Sequence, residues 1–74
     1  MPTPRTVQAI VRQRTSLSID QQEASRLIGI AIVDPAGDEP VEVHGRDPRT
    51  GAPSSAQLTV AEMLVPPDGF VRPA

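Results

Sequence analysis

The sequence predicts a small single-domain α+β fold, and three observations support this prediction. A helix start signal stands at Asp20, an alternating apolar and polar run follows at 41–45, and proline turns separate the pieces of the second half. At 74 residues the chain has room for one hydrophobic core. We therefore expect one domain over 1–74, with flexible tails at 1–5 and 72–74.

The N-terminal piece, residues 5–13, fits two different structures. Thr3 and Pro4 are typical of a helix N-terminus, and apolar residues follow them at helical spacing. The alternation of apolar residues that runs on to Ile19 fits a strand instead. We expect a strand at 15–19, and either structure for 5–13.

A helix is predicted near 20–28. Asp20 and Glu23 have the pattern of a capping box, in which each side chain accepts the backbone N–H of the other residue. Gly29 is typical of the position just past a helix end. The apolar stretch 30–33 is then predicted to be a short buried strand, with a continuing helix as the alternative.

The stretch 30–33 is predicted to pair with 41–45 as an antiparallel hairpin, across a proline-containing loop. Further along, 57–65 fits either a third strand or a short helix, because Thr59 and Glu62 repeat the capping-box pattern. The expected fold is thus one helix with a two- or three-stranded antiparallel sheet, joined by proline-rich connections.

The composition excludes several kinds of chemistry. All seven basic residues are Arg, and the chain lacks Lys, Cys, Trp, Tyr and Asn. Without Cys there is no thiol nucleophile, disulfide or thiolate metal site, and without Lys there is no Schiff-base amine. We therefore expect no enzyme activity, no cofactor and no metal ion.

The one histidine, His44, does not complete a catalytic or metal-binding motif. Asp47 and Ser54 could be combined with it as a serine triad, but the chain has no G-x-S-x-G elbow. The acidic residues from Asp34 onwards do not have the spacing of a calcium loop. We interpret His44 as an exposed residue at a strand end, and the acidic residues as a solvated loop.

A partner is predicted from the size of the chain. Natural domains this small usually add a disulfide, a metal or a partner chain, because their single core stabilises them only marginally. Since the chain has no Cys and no metal motif, we expect binding to another protein or self-association.

Four residues are candidates for contact with that partner. Arg5, Arg12 and Arg14 lie in the half 1–33, whose net charge is +2, whereas 34–74 carries −4. They are suited to an acidic protein surface and, more weakly, to nucleic acid. Phe70 is the only aromatic residue. It is expected either to cap the core or to anchor the protein in a groove of its partner.

Residues 17–30, LSIDQQEASRLIGI, resemble the first half of a helix-turn-helix of the excisionase or MerR family. The shared pattern is an apolar–polar–apolar entry followed by E-A-x-x-L-ϕ-G-ϕ, where ϕ is apolar. In that family a polar recognition helix follows, whereas here an apolar stretch and a proline turn follow. The resemblance implies a small DNA-binding transcriptional regulator as the alternative function.

The function expected from size and from the lack of catalytic groups is non-enzymatic protein–protein interaction. Accessory proteins, inhibitors and assembly components belong to this class, including phage-encoded inhibitors and virion accessory proteins. No apolar run is long enough to span a membrane, and no apolar secretion signal opens the chain. We therefore expect a cytoplasmic or virion-associated protein without a small-molecule substrate.

Overall fold

Three helices and one two-stranded antiparallel sheet make up the described part of the chain, residues 3–35 and 37–70 of a computed structural model. The predicted α+β class is confirmed. In chain order the elements are α1 (Pro4–Thr15), α2 (Gln21–Val33), β1 (Val41–Arg46), β2 (Pro53–Leu58) and α3 (Val60–Leu64). No helix in these two ranges is long and apolar enough to cross a membrane.

Helix α1 resolves the N-terminal alternatives, because residues 5–13 are helical throughout. Thr3 caps the helix by accepting a backbone N–H of the first turn at 3.2 Å, and Pro4 occupies the first turn. Ser16 ends the helix in the left-handed conformation, with φ 62°. Its N–H donates to the carbonyl oxygen of Arg12 at 2.8 Å.

The strand predicted at 15–19 is reduced to one bridge. Ser18 and Arg46 exchange two backbone hydrogen bonds, of 2.9 and 2.8 Å, while Thr15 belongs to α1. Of the tails predicted at 1–5 and 72–74, residues 1, 2 and 72–74 lie outside the described residues. Pro4 and Arg5 are helical.

The strand predicted at 30–33 is wrong, and so is its pairing with 41–45, because α2 continues through Val33. Three buried side chains recur at helical spacing along its core face: Ala24, Leu27 and Ala31. Continuing the helix therefore buries Ala31 beside the other two. Pro35 stops the helix, since the residue before a proline avoids the helical conformation.

The hairpin is formed by β1 and β2 instead, with Val41 opposite Leu58 and Arg46 opposite Pro53. Its loop, residues 47–52, contains one of the proline turns predicted for the second half of the chain. The Asp47 carboxylate accepts the N–H of Arg49 at 2.8 Å within this loop.

Both alternatives for 57–65 are realised in succession. Strand β2 ends at Leu58, and α3 begins at Val60 with Thr59 as its cap. The capping box predicted for Thr59 and Glu62 is confirmed, with hydrogen bonds of 3.2 and 3.0 Å.

The core lies between the helices and one face of the hairpin. All its fully buried side chains are aliphatic or Met, and no polar or charged residue is buried in the described ranges. The buried residues are Val7, Ile10, Val11, Leu17, Ile19, Ala24, Leu27, Ala31, Val43, Leu58, Val60 and Met63. The other face of the hairpin is exposed and polar, with Glu42, His44 and Arg46 on β1.

Candidate interaction surfaces

Two of the three candidate arginines share one surface. Arg5 and Arg12 lie two turns apart on α1 and border a shallow depression of about 320 Å³. The Gln8 side chain also lines it and donates to the carbonyl oxygen of Ile19 at 3.0 Å. Ala9, Ser18 and Ile19 complete the lining, so the depression combines two arginines and a held glutamine with apolar side chains.

Arg14 belongs to a different part of the molecule. Its Nη2 atom donates to the carbonyl oxygen of Val65 at 2.8 Å, just past the end of α3. This bond joins the C-terminal end of α1 to that of α3. The three arginines predicted as one contact group are thus divided, with Arg14 in a structural contact.

Phe70 lies beyond the proline turn that follows α3. Its N–H donates to the carbonyl oxygen of Pro67 at 3.1 Å, and Gly69 supplies the positive φ of 78°. The residue is half-buried and is not among the side chains of the core cluster. Its candidate roles, core cap or partner anchor, stay predictions.

Glu23 lines a depression of about 450 Å³ between the start of α2 and β1. Its carboxylate accepts two hydrogen bonds from the Arg26 guanidinium, of 2.8 and 2.7 Å, and the N–H of His44 at 2.8 Å. Arg26 also donates to the carbonyl oxygen of Glu42 at 2.8 Å. The pair therefore fastens the first turns of α2 to the outer edge of β1.

These contacts change the electrostatics of Glu23. The hydrogen bonds from Arg26 lower the pKa of its carboxyl; partial burial opposes this, and the N–H of His44 lowers it further.

The same contacts leave the capping box predicted for α2 only half formed. Asp20 accepts the N–H of Glu23 at 2.7 Å as expected, but the Glu23 side chain points to β1 instead of back to Asp20.

The structure does not bring together His44, Asp47 and Ser54, the three residues that the sequence could combine as a serine triad. His44 lines the depression of Glu23, and its Nε2 atom lies 2.9 Å from the exposed Glu42 carboxylate. Asp47 and Ser54 line a separate depression. Within residues 3–35 and 37–70, no three His, Asp or Glu side chains are grouped as metal ligands.

An apolar surface that the sequence interpretation missed lies on the C-terminal half of α2. Ile32 is 58% exposed and Val33 is 86% exposed. Helical spacing places Ile28, half-buried, beside Ile32, and the exposed Gly29 beside Val33. We call these four residues the α2 apolar surface. This surface was not predicted, because residues 30–33 were expected to form a buried strand.

No family model matches the chain, and no curated protein or solved structure is detectably similar to it. The surfaces must therefore be interpreted from their own chemistry.

Proposed function

We propose that this protein is a small non-enzymatic protein-binding module, an accessory, inhibitor or assembly component, that contacts its partner through the α2 apolar surface. The observation that carries the proposal is the exposure of two adjacent branched aliphatic side chains, Ile32 and Val33, on an ordered helix. Single exposed aliphatic residues are common, but a contiguous apolar face on a helix is typical of a docking site.

The surroundings of this surface indicate the chemistry of the partner. The C-terminal end of a helix carries a partial negative charge, and Asp34 directly follows α2. Asp38 and Glu39 follow four and five residues after Asp34 and are also exposed. A partner with an apolar patch and a basic rim therefore complements this end of the molecule, whereas a phosphate backbone would be repelled.

The DNA-binding alternative has no comparable support. The resemblance at 17–30 requires a second, polar helix after the first. In residues 34–35 and 37–40 the chain forms no helix before β1 begins. A phage-encoded inhibitor or a virion accessory protein is one form that a protein-binding module takes, and this form rests on chain size and composition alone.

Charge introduced into the α2 apolar surface tests the proposal. The variant Ile32→Lys/Val33→Lys should fold normally, because both side chains are mostly exposed and lysine suits the last turn of a helix. Gln13→Lys/Gln22→Lys adds the same charge at two exposed polar positions and is the control. Partners captured from the native host with the unmodified protein are identified by mass spectrometry, purified and titrated against each variant.

We expect the dissociation constant to rise by at least about tenfold for Ile32→Lys/Val33→Lys and to stay within about twofold for the control. If the partner bound Ile32→Lys/Val33→Lys as tightly as the control variant, the α2 apolar surface would not be its binding site.

Retardation of random duplex DNA at low salt would instead favour the DNA-binding alternative. Loss of that retardation in Arg5→Ala/Arg12→Ala would place the DNA contact on α1.

A further inference from the structure

At alternate residues along each strand of the hairpin, the backbone N–H and C=O groups point out of the hairpin instead of towards the other strand. On β1, the N–H of His44 and both backbone groups of Arg46 bond away from β2. In an antiparallel ladder the residues opposite such positions also direct their N–H and C=O groups away from their partner strand. Ser55 lies opposite His44, and Gln57 lies opposite Glu42. The backbone groups of Ser55 and Gln57 therefore point outward from β2.

These outward groups have no partner in the described chain. Neither residue takes part in a backbone bond outside the hairpin ladder, and both residues are exposed. Strand β2, PSSAQL, also carries no charged side chain. Charged edge residues, bulges and covering loops are the usual protection of such an edge, so the middle of β2 is open to a further strand.

The open edge is bounded at both ends. Pro53 has no N–H to offer. At the other end, the N–H of Thr59 donates to the Glu62 carboxylate at 3.0 Å, and its C=O accepts the N–H of Met63 at 3.1 Å. The unpaired donors of this edge are therefore those of Ser55 and Gln57.

We propose that β2 pairs with β2 of a second copy of this chain, antiparallel and about a two-fold axis at Ala56. In this register Ser55 of each copy lies opposite Gln57 of the other, and the two pairs exchange four backbone hydrogen bonds. The sheet of the dimer then runs β1, β2, β2, β1. This proposal does not rest on the α2 apolar surface.

Self-complementarity is the reason for choosing a second copy as the occupant. The same register places Pro53 of one copy opposite Thr59 of the other, so the position without an N–H meets the position whose N–H is already bonded. Ala56 meets Ala56 at the axis, where side chains approach most closely and a methyl group fits. No like charges face each other, because the strand has no charge. A closed two-fold pair also covers both open edges.

Removal of one outward N–H tests the pairing. Gln57→Pro deletes a donor that the hairpin itself does not use, and Pro53 shows that proline is accommodated at such a position in this strand. Gln57→Ala removes the same side chain, keeps the N–H and is the control. Sedimentation equilibrium from low micromolar to millimolar protein gives the dimer dissociation constant of each.

We expect Gln57→Pro to raise this constant by about tenfold or more, because two of the four bonds in the dimer are lost, and Gln57→Ala to leave it within about twofold. Ile32→Lys/Val33→Lys should dimerise like the unmodified protein, which separates this proposal from the proposed function.

Hydrogen exchange of the unmodified protein provides a test that does not depend on any variant folding. The amides of Ser55 and Gln57 should become protected in step with the dimer fraction, while the exposed loop amide of Thr50 should not. A monomer at millimolar concentration, an open-ended series of oligomers, or equal dissociation constants for the proline and alanine variants would overturn the proposal.

Discussion

The two edges of the hairpin differ in the hydrogen bonds that they receive from the rest of the described residues. The edge of β1 is covered: Ser18 pairs with its end, Glu23 accepts the N–H of His44, and Arg26 donates to the next outward carbonyl. The edge of β2 receives no such contact from the described residues. The difference shows that a sheet edge is closed by segments distant in sequence, and that an edge without such a segment is the place where another chain can add.

Gly45→Ala should be the strongest way to break the covered edge. A Cβ atom at Gly45 would collide with the backbone oxygen of Ser18 and lie 2.9 Å from Leu17 Cγ. The backbone of the covering segment has to shift, so we expect a loss of about 2–3 kcal/mol in the free energy of unfolding. Urea denaturation followed by circular dichroism measures it.

Gly29→Ala is the matched control for this substitution. Apart from the adjoining backbone of its own helix, no atom of the described residues lies within 4 Å of a Cβ atom built there. The change should stabilise the protein by about 0.5–1 kcal/mol. If Gly45→Ala were as stable as Gly29→Ala, the close contact with Ser18 would not exist in solution.

Glu23→Ala should weaken the covered edge by a smaller amount, about 1–2 kcal/mol. The substitution leaves the N–H of His44 without its acceptor and releases the Arg26 guanidinium from the edge. Glu39→Ala, at an exposed acidic residue, is the control and should change the unfolding free energy by less than about 0.5 kcal/mol.

The effect of Glu23 should also depend on pH in one direction. Its pKa is lower in the folded protein than in the unfolded chain, so folding favours the ionised form. The stabilisation is complete above the ordinary glutamate pKa of about 4.3 and is lost as the pH falls through the lowered folded-state value. The difference between the unmodified protein and Glu23→Ala should therefore shrink on acidification, and a constant difference would contradict the role of the carboxylate.

Ser55→Lys should have the smallest effect, because it falls on the open edge. The side chain is exposed and bonds to nothing in the described residues, so the unfolding free energy at low protein concentration should stay within about 0.5 kcal/mol. A loss above about 1 kcal/mol would mean that the monomer itself covers this edge.

The features that could be read from the sequence are the ones that depend on a few neighbouring residues, such as helix caps. The caps at Thr3 and Thr59 start helices, which is one of the two structures that the sequence left open for each segment, and the bonds of both caps span three residues. Glu23 is an example of a residue whose contact cannot be predicted from its neighbours. It has the capping-box position, but its carboxylate accepts the backbone N–H of His44, 21 residues away on β1.

The candidate surfaces depend on contacts between segments that are distant in the sequence. Arg5 and Arg12 share one depression, but Arg14 bonds to Val65, a contact across 51 residues that spacing on α1 does not reveal. The α2 apolar surface was missed because an aliphatic stretch in a short sequence is compatible with either a buried strand or a half-exposed helix.

The sequence by itself determined the α+β class, the start of α2 and the turns, and it offered the starts of α1 and α3 as alternatives, because caps and prolines act on backbone within a few residues. It also determined the absence of thiol and amine chemistry, because the residues are not there. Only the tertiary structure decided which strands pair, that α2 continues past Gly29 and which sheet edge stays open. Those outcomes depend on which face of each element the core buries, and burial is a property of the assembled chain.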